Sequence, residues 1–142
     1  MTSFGKQIKF YNDSNTLQFQ YINTDHISTI RVEFSPKIGS EYKHGEKASF
    51  QFRSYELFSF VELLLNFNEH FKTTTSHDNK MLYINRNSSG AINFNYAENK
   101  TKFSHNIPPE RCKELALFVC AQAANAAGMS VTDMMNVLKV TR

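Results

Sequence analysis

The chain has 142 residues, of which 41% are hydrophobic and 20% charged, with 5 glycines and 3 prolines. This composition predicts one folded domain over residues 1–142 and excludes a disordered, collagenous or low-complexity chain. The net charge of +3 does not by itself indicate a nucleic-acid partner. The chain contains no run of 18 apolar residues, so no membrane span is predicted. The first 20 residues lack the apolar block of a secretory signal. We therefore expect an intracellular protein that is not secreted.

Alternating apolar and polar residues predict four antiparallel strands in the first half of the chain, residues 1–72. Their inward positions are Ile8 and Phe10; Leu17, Phe19 and Tyr21; Ile30, Val32 and Phe34; and Phe50 and Phe52. Residues 36–47 are predicted as a polar loop before the fourth strand. From Ser54, the expected N-cap, apolar residues at helical spacing predict an amphipathic helix of about four turns that extends to Phe71.

The second half, residues 80–128, repeats the pattern after a polar loop at Lys72–Lys80. Its three predicted strands have inward positions Leu82 and Ile84; Ile92, Phe94 and Tyr96; and Phe103, His105 and Ile107. A second helix begins at Pro108–Glu110 and ends near Gly128, and Ser130 begins a short C-terminal helix over residues 130–140. We therefore predict an α+β fold of two antiparallel β-meanders, each followed by an α-helix, with the sheet on one side and the helices on the other. Whether the two similar halves reflect a duplication stays open.

The outward side of the predicted strands carries one acidic residue, Glu33, among lysines, arginines, amides and tyrosines. This outward set comprises Lys9, Tyr11, Gln18, Gln20, Arg31, Glu33, Gln51, Arg53, Tyr83, Asn85, Asn93, Asn95 and Lys102. Cations suit phosphates, rings stack on bases, and amides bond to base edges, so this set is typical of a surface for single-stranded nucleic acid. An ordinary solvated or protein-facing sheet in an asparagine-rich chain is the alternative.

The charge distribution favours the same face, because residues 54–71 carry −3 and leave +6 for the rest of the chain. The loop lysines Lys37, Lys43 and Lys47 extend it as a basic rim. In this interpretation the basic strand residues hold phosphates, Tyr11 and Tyr83 stack on bases, and the amides contact bases or sugars. The phosphate-binding residues are Lys9, Arg31, Arg53 and Lys102, and the amides are Gln18, Gln20, Asn85, Asn93 and Asn95.

The passage Gly45-Glu46-Lys47-Ala48-Ser49-Phe50-Gln51-Phe52, followed by a helix from Ser54, resembles a basic loop, strand and helix of the Whirly and positive-cofactor-four superfamily. Lys47-Ala48 is similar to part of the Lys-Gly-Lys-Ala-Ala-Leu segment of the plant members, with Glu46 where glycine is expected. Members bind single-stranded nucleic acid and include mitochondrial guide-RNA-binding and phage-encoded proteins.

This resemblance implies two sheets packed crosswise, helices that clamp them, and strand faces that contact bases. It also implies self-association through the helices as a dimer or tetramer, and nucleic-acid contacts at Lys43, Lys47 and the outward strand residues. For a phage-type member, the location would be the host cell; otherwise it would be the cytoplasm.

The sequence predicts no catalytic residues, metal site or cofactor. No glycine-rich phosphate loop precedes a Lys-Ser/Thr pair, and Cys112, Cys120 and the scattered histidines lack zinc-ligand spacing. We predict that Cys112 and His105 pack in the core.

The predicted function is therefore non-catalytic binding of single-stranded nucleic acid, with DNA favoured over RNA, by a homo-oligomer in replication, recombination or transcription. The alternative is a protein–protein interaction or assembly subunit, based on Ala121–Ala127 and the terminal methionines. A small-ligand barrel is a third possibility, although no polar cluster supports it. The salt dependence of binding distinguishes the first two hypotheses, because only nucleic-acid binding weakens steeply as salt is added.

Overall fold

A computed structural model of the chain describes residues 6–72, 77 and 79–142. In chain order the elements are β1 (Gln7–Tyr11), β2 (Asn15–Asn23), β3 (Ser28–Ile38), β4 (Glu41–Tyr42), a 3-10 helix (His44–Glu46), β5 (Ala48–Gln51), α1 (Ser54–Leu64), β6 (His70–Lys72), β7 (Lys80–Arg86), β8 (Ile92–Glu98), β9 (Thr101–Ile107), α2 (Pro109–Ala127) and α3 (Val131–Thr141). The predicted α+β class is confirmed. The predicted loop at Lys72–Lys80 lies partly outside the described residues, since 73–76 and 78 are not among them.

The first five strands form sheet 1, an antiparallel meander in which β1 pairs with β2, β2 with β3, and β3 with β5. The predicted loop from Pro36 is wrong, because β3 continues to Ile38 and pairs with the two-residue strand β4. Gly39 makes the hairpin between them possible, since its φ of +67° is one that residues with a Cβ rarely adopt. Pro36 is tolerated because it lies opposite Asn15, the first residue of β2, where the ladder ends.

Sheet 2 has four antiparallel strands in the order β6-β7-β8-β9 within the described part of the chain. Three were predicted, and the fourth is β6, whose buried Phe71 pairs with Ile84. The prediction that the first helix reaches Phe71 is wrong, because α1 ends at Leu64 and Asn66 adopts a left-handed φ of 67°. The spacing of apolar residues did not predict this helix end, because an apolar residue at position 71 fits the inward side of a helix and of a strand equally well.

Local hydrogen bonds explain where the helices begin and end. Ser54 is the first helical residue and not the predicted N-cap; the N-cap is Arg53, whose backbone N–H donates to the Glu56 carboxylate at 2.9 Å. The predicted end of α2 is confirmed by Gly128 with a φ of 69°. The predicted cap of α3 is also confirmed, because the Ser130 hydroxyl accepts the Asp133 N–H at 3.1 Å.

The apolar sides of the two sheets pack against each other through aromatic rings. The ring centroid of Phe19 lies 5.5 Å from that of Phe94, and Phe34 lies 5.4 Å from Phe103 and 5.6 Å from Tyr96. Much of the apolar side of each sheet is therefore covered by the other sheet and not by helices, which agrees with the two packed sheets that the resemblance implies. Such face-to-face packing puts the polar side of each sheet on the outside.

The helices close one end of this sandwich. Gln122 of α2 donates to the backbone carbonyl oxygens of Ile22 and Thr29, at 3.2 and 2.9 Å. The Arg86 guanidinium of β7 donates to the carbonyl oxygens of Leu63 and Leu64, at 3.1 and 3.2 Å, at the end of α1. These hydrogen bonds satisfy backbone carbonyl oxygens at strand and helix ends and join the two sheets to the helices.

Candidate nucleic-acid interface

The predicted contact residues lie on two outer faces and not on one. The outer face of sheet 1, here the sheet-1 face, carries Gln7, Lys9, Tyr11, Gln18, Gln20, Arg31, Glu33, Ser49 and Gln51. The outer face of sheet 2, here the sheet-2 face, carries His70, Tyr83, Asn85, Asn93, Asn95, Lys102, Ser104 and Asn106. Because the inner sides of the sheets contact each other, these faces lie on opposite sides of the sandwich.

Polar rows cross the sheet-1 face from strand to strand. The pairing aligns Gln7, Gln20, Arg31 and Gln51 in one row, and Lys9, Gln18, Glu33 and Ser49 in the next. Gln18 donates to the Gln7 side-chain oxygen at 3.1 Å. Gln20 is buried, so its amide has less surface for a ligand than the sequence pattern suggested.

An aromatic corner lies at the end of the sheet-1 face. Tyr11 is 61% exposed, and its ring centroid lies 5.5 Å from that of Tyr42 on β4. Lys9 Nζ lies 5.9 Å from the Tyr11 centroid, and Lys37 Nζ lies 5.6 Å from the Tyr42 centroid. Two neighbouring rings, each with one ammonium group beside it, allow the exposed Tyr11 ring to stack on a base while the lysines contact phosphates.

Sequence reasoning missed Tyr42, because residues 36–47 were predicted as a loop. The signal was present: Gly39 and Ser40 separate two short polar-apolar segments, which is the spacing of a two-residue hairpin. This hairpin brings Tyr42 back to β1, where its hydroxyl donates to the Asn12 carbonyl oxygen at 2.9 Å.

A groove of about 240 Å³ runs across the middle of the sheet-1 face. It is lined by Gln7, Lys9, Gln18, Gln20, Glu33, His44 and Lys47. Two of the three predicted rim lysines are paired: Lys47 Nζ lies 3.3 Å from the nearly buried Glu33 carboxylate, and Lys43 Nζ lies 2.8 Å from the exposed Glu41 carboxylate. An exposed pair such as Lys43 with Glu41 contributes only about 0–1 kcal/mol, so a phosphate can compete for Lys43.

The sheet-2 face has its own ring, amides and lysine. The Tyr83 hydroxyl lies 2.8 Å from His70 Nδ1, and the two rings stack with centroids 6.0 Å apart. The Ser104 hydroxyl donates to Asn95 at 3.1 Å. A concavity of about 340 Å³ is lined by Met81, Tyr83, Asn95, Tyr96, Ala97, Lys102, Phe103 and Ser104. The sequence analysis did not include His70 or Met81 among the contact residues. His70 lies on β6, a strand that was not predicted.

Arg53 lies apart from the strands of both faces. It was predicted on the outward side of the fourth strand, but β5 ends at Gln51 and Arg53 is the exposed N-cap of α1. The other predicted residues keep the strand positions that the alternation assigned to them.

Both cysteines and His105 are buried. Burial lowers the pKa of His105 to about 4, raises the pKa of the Cys120 thiol to about 11 and raises the pKa of Cys112. At neutral pH these groups are a neutral imidazole and two thiols, which are the less reactive forms of cysteine. The residues that the structure describes contain no cluster of three or more histidine, cysteine or acidic side chains suited to a metal ion.

Among the described helices, none alone is long and apolar enough to cross a membrane. Only α2 and α3 taken together meet that criterion, by length and composition, and they are bent by 87° at the break between them.

No protein-family model matches the chain, and no curated protein sequence matches it. Several solved structures, however, have a similar fold. WHY1 from Arabidopsis thaliana is 11% identical, with a TM-score of 0.64 over 90% of this chain and 94% of that one. WHY3 from Arabidopsis thaliana is 13% identical, with a TM-score of 0.63 over 99% and 98%. The plant transcriptional regulator PBF-2 is 13% identical, with a TM-score of 0.63 over 90% and 85%. The resemblance predicted from residues 45–54 is thus confirmed at the level of architecture: the chain has a Whirly-like fold.

Proposed function

We propose that this protein is a non-catalytic, intracellular single-stranded nucleic-acid-binding protein that uses its sheet-1 and sheet-2 faces, with DNA favoured over RNA. The observation that carries the proposal is the aromatic corner, where the exposed Tyr11 ring lies beside Lys9 and Tyr42, and Lys37 lies over the Tyr42 ring. Stacking on such a ring contributes about 1–3 kcal/mol per base and tolerates any sequence.

The likeness to Whirly structures supports this proposal, because the same fold is found in a plant transcriptional regulator. Transcription, replication and recombination all expose single strands, so they are the processes we propose.

We further propose that the protein acts as a homo-oligomer, a dimer or a tetramer, through its helices. Leu117 on α2 is 75% exposed and Val140 on α3 is 84% exposed. The helices also carry an apolar groove of about 180 Å³, lined by Phe58, Ala127, Met129, Met134, Val137 and Leu138. Exposed apolar groups and an apolar groove favour association, and the self-association that the family resemblance implies supports a second copy as the partner.

The same helix surface supports the alternative function, an assembly subunit that binds protein and no nucleic acid. The two functions differ in their response to salt. Binding to a nucleic acid weakens steeply with salt because counterions are released, whereas burial of an apolar surface does not.

The test is fluorescence anisotropy with a labelled thymidine oligomer at two salt concentrations, with a duplex as control. We expect salt-sensitive binding to the single strand in preference to the duplex. In the Arg31→Ala variant, which removes the arginine of the sheet-1 face, we expect about a threefold loss of affinity, or roughly 0.7 kcal/mol, and a shallower salt dependence at a nearly unchanged melting temperature.

Lys139→Ala is the matched control, since it removes one cation from the last turn of α3 and none from a strand. Absence of single-strand binding at low salt by the folded protein would refute the proposed function. Unchanged binding by Arg31→Ala would refute only the assignment of this arginine.

A further inference from the structure

Glu33 is the one acidic member of the outward set, and its position is not explained by phosphate binding. It lies in the middle of sheet 1, with Gln18 of β2 on one side and Ser49 of β5 on the other. Its side chain is only 10% exposed. A carboxylate repels phosphate, so a nearly buried one in the centre of a face for an anionic strand calls for a different role.

The surroundings of Glu33 form a polar groove that suits one flat ligand. Among the described residues that line it, Glu33 is the only acidic one, and the others are glutamines, lysines and His44. Its volume of about 240 Å³ is smaller than the roughly 300–1,000 Å³ of pockets for drug-sized ligands. Lys47, 3.3 Å from the carboxylate, compensates its charge without closing the groove.

A carboxylate only accepts hydrogen bonds, so it discriminates between bases by the donors that they present. Thymine presents carbonyl oxygens and a single ring N–H, whereas guanine presents a ring N–H and an amino group side by side. Two adjacent donors match the two oxygens of a carboxylate, and single-stranded bases expose this edge for readout.

We propose that Glu33 makes this groove a base-reading pocket, in which its carboxylate accepts hydrogen bonds from N1–H and the N2 amino group of a guanine splayed from the strand. The inference rests on the proposed function. Glu33 thereby selects guanine over thymine at one nucleotide, while the rings and lysines around it bind without sequence preference.

The experiment compares three labelled oligomers of equal length: thymidine only, alternating thymidine and guanosine, and alternating thymidine and inosine, which lacks the N2 amino group. We expect the wild-type protein to prefer the guanosine oligomer over thymidine by at least about fivefold, as for one good bidentate base contact. Inosine should lose most of that preference.

In the Glu33→Gln variant we expect the preference for guanosine to fall below about twofold, because the guanosine oligomer loses its contact with the carboxylate while the thymidine and inosine oligomers bind more tightly once Lys47 loses its partner. Glu114→Gln on α2, which removes an exposed carboxylate paired with Arg111, is the matched control and should keep the wild-type preference.

Equal binding of the guanosine and inosine oligomers by the wild-type protein would overturn the inference without any variant. A guanosine preference that survives in Glu33→Gln would overturn it too. In both cases salt-sensitive thymidine binding would leave the proposed function standing, whereas failure to bind any oligomer would remove the proposed function itself.

Discussion

At the scale of single residues, His105 shows how a polar group is accommodated between the sheets. It is 2% exposed, and its Nδ1 lies 2.7 Å from the Asn15 side-chain oxygen and 3.1 Å from the Asn12 amide nitrogen. Asn15 also donates to the Ser104 carbonyl oxygen at 3.0 Å. This polar cluster joins β9 to the β1–β2 turn and agrees with the predicted role of His105 as a satisfied core residue.

The burial of His105 predicts a pH dependence of stability. Its pKa is about 4 in the folded protein and about 6.5 in an unfolded chain, so the unfolded chain binds more protons between these values. The free energy of unfolding therefore has its full value above pH ~6.5 and falls by about 2–3 kcal/mol as the pH falls towards ~4. Urea unfolding at pH 7.5 and 4.5 measures this loss.

The contribution of His105 is isolated with His105→Gln, which should lose less stability between the two pH values than the wild-type protein does. His26→Gln changes an exposed histidine and should behave like the wild type. Equal pH dependence in the wild-type and His105→Gln proteins would contradict the argument.

At the scale of elements, the alternation of residues predicted most strands, and the errors lie where an element ends. The strand β3 continues past Pro36 and α1 stops before Phe71, because strand ends depend on the partner strand and helix ends on local capping. These two errors concealed Tyr42 and His70, which both lie on the candidate interface.

The helices carry a prediction about assembly. Val137 is exposed and lines the apolar groove, so Val137→Glu should place a charge in the interface of the proposed oligomer and shift it towards the 16.4 kDa monomer. Asn136→Glu, at the neighbouring exposed position, adds the same charge outside the groove lining. Light scattering at matched concentrations measures the mass.

Both substitutions are at exposed positions and should change the free energy of unfolding by less than about 0.5 kcal/mol. If Val137→Glu keeps the mass of the wild-type protein while remaining folded, the groove is not part of the interface.

At the scale of the whole molecule, the two faces raise the question whether one strand contacts both. Lys9 lies on the sheet-1 face and Lys102 on the sheet-2 face. If both contact phosphates, Lys9→Gln and Lys102→Gln should each reduce the slope of log affinity against log salt by about 0.7, and the double variant by about 1.4.

Anisotropy titrations over a range of salt concentrations measure these slopes. A slope that changes with Lys9→Gln and stays constant with Lys102→Gln would restrict the interface to the sheet-1 face. Lys113→Gln on the exposed side of α2 serves as the charge-matched control.

The sequence by itself determined the class, the strand faces and the chemistry of the outward residues. Alternation with a period of two is a local property, so it assigns Phe19 inward and Gln18 outward without knowledge of the fold. The caps at Ser130 and Gly128 are equally local. The order of strands and helices along the chain, together with the passage at residues 45–54, predicted the Whirly-like fold.

Only the tertiary structure decided which rings of the two sheets contact each other and that the outward residues divide between two opposite faces. That arrangement depends on contacts between residues far apart in the chain, such as Phe19 with Phe94, and no local pattern encodes which apolar face meets which. The placement of Tyr42 beside Tyr11 and of Glu33 in a groove has the same origin. Periodicity assigns a side chain to a face, whereas its neighbours depend on how the faces pack.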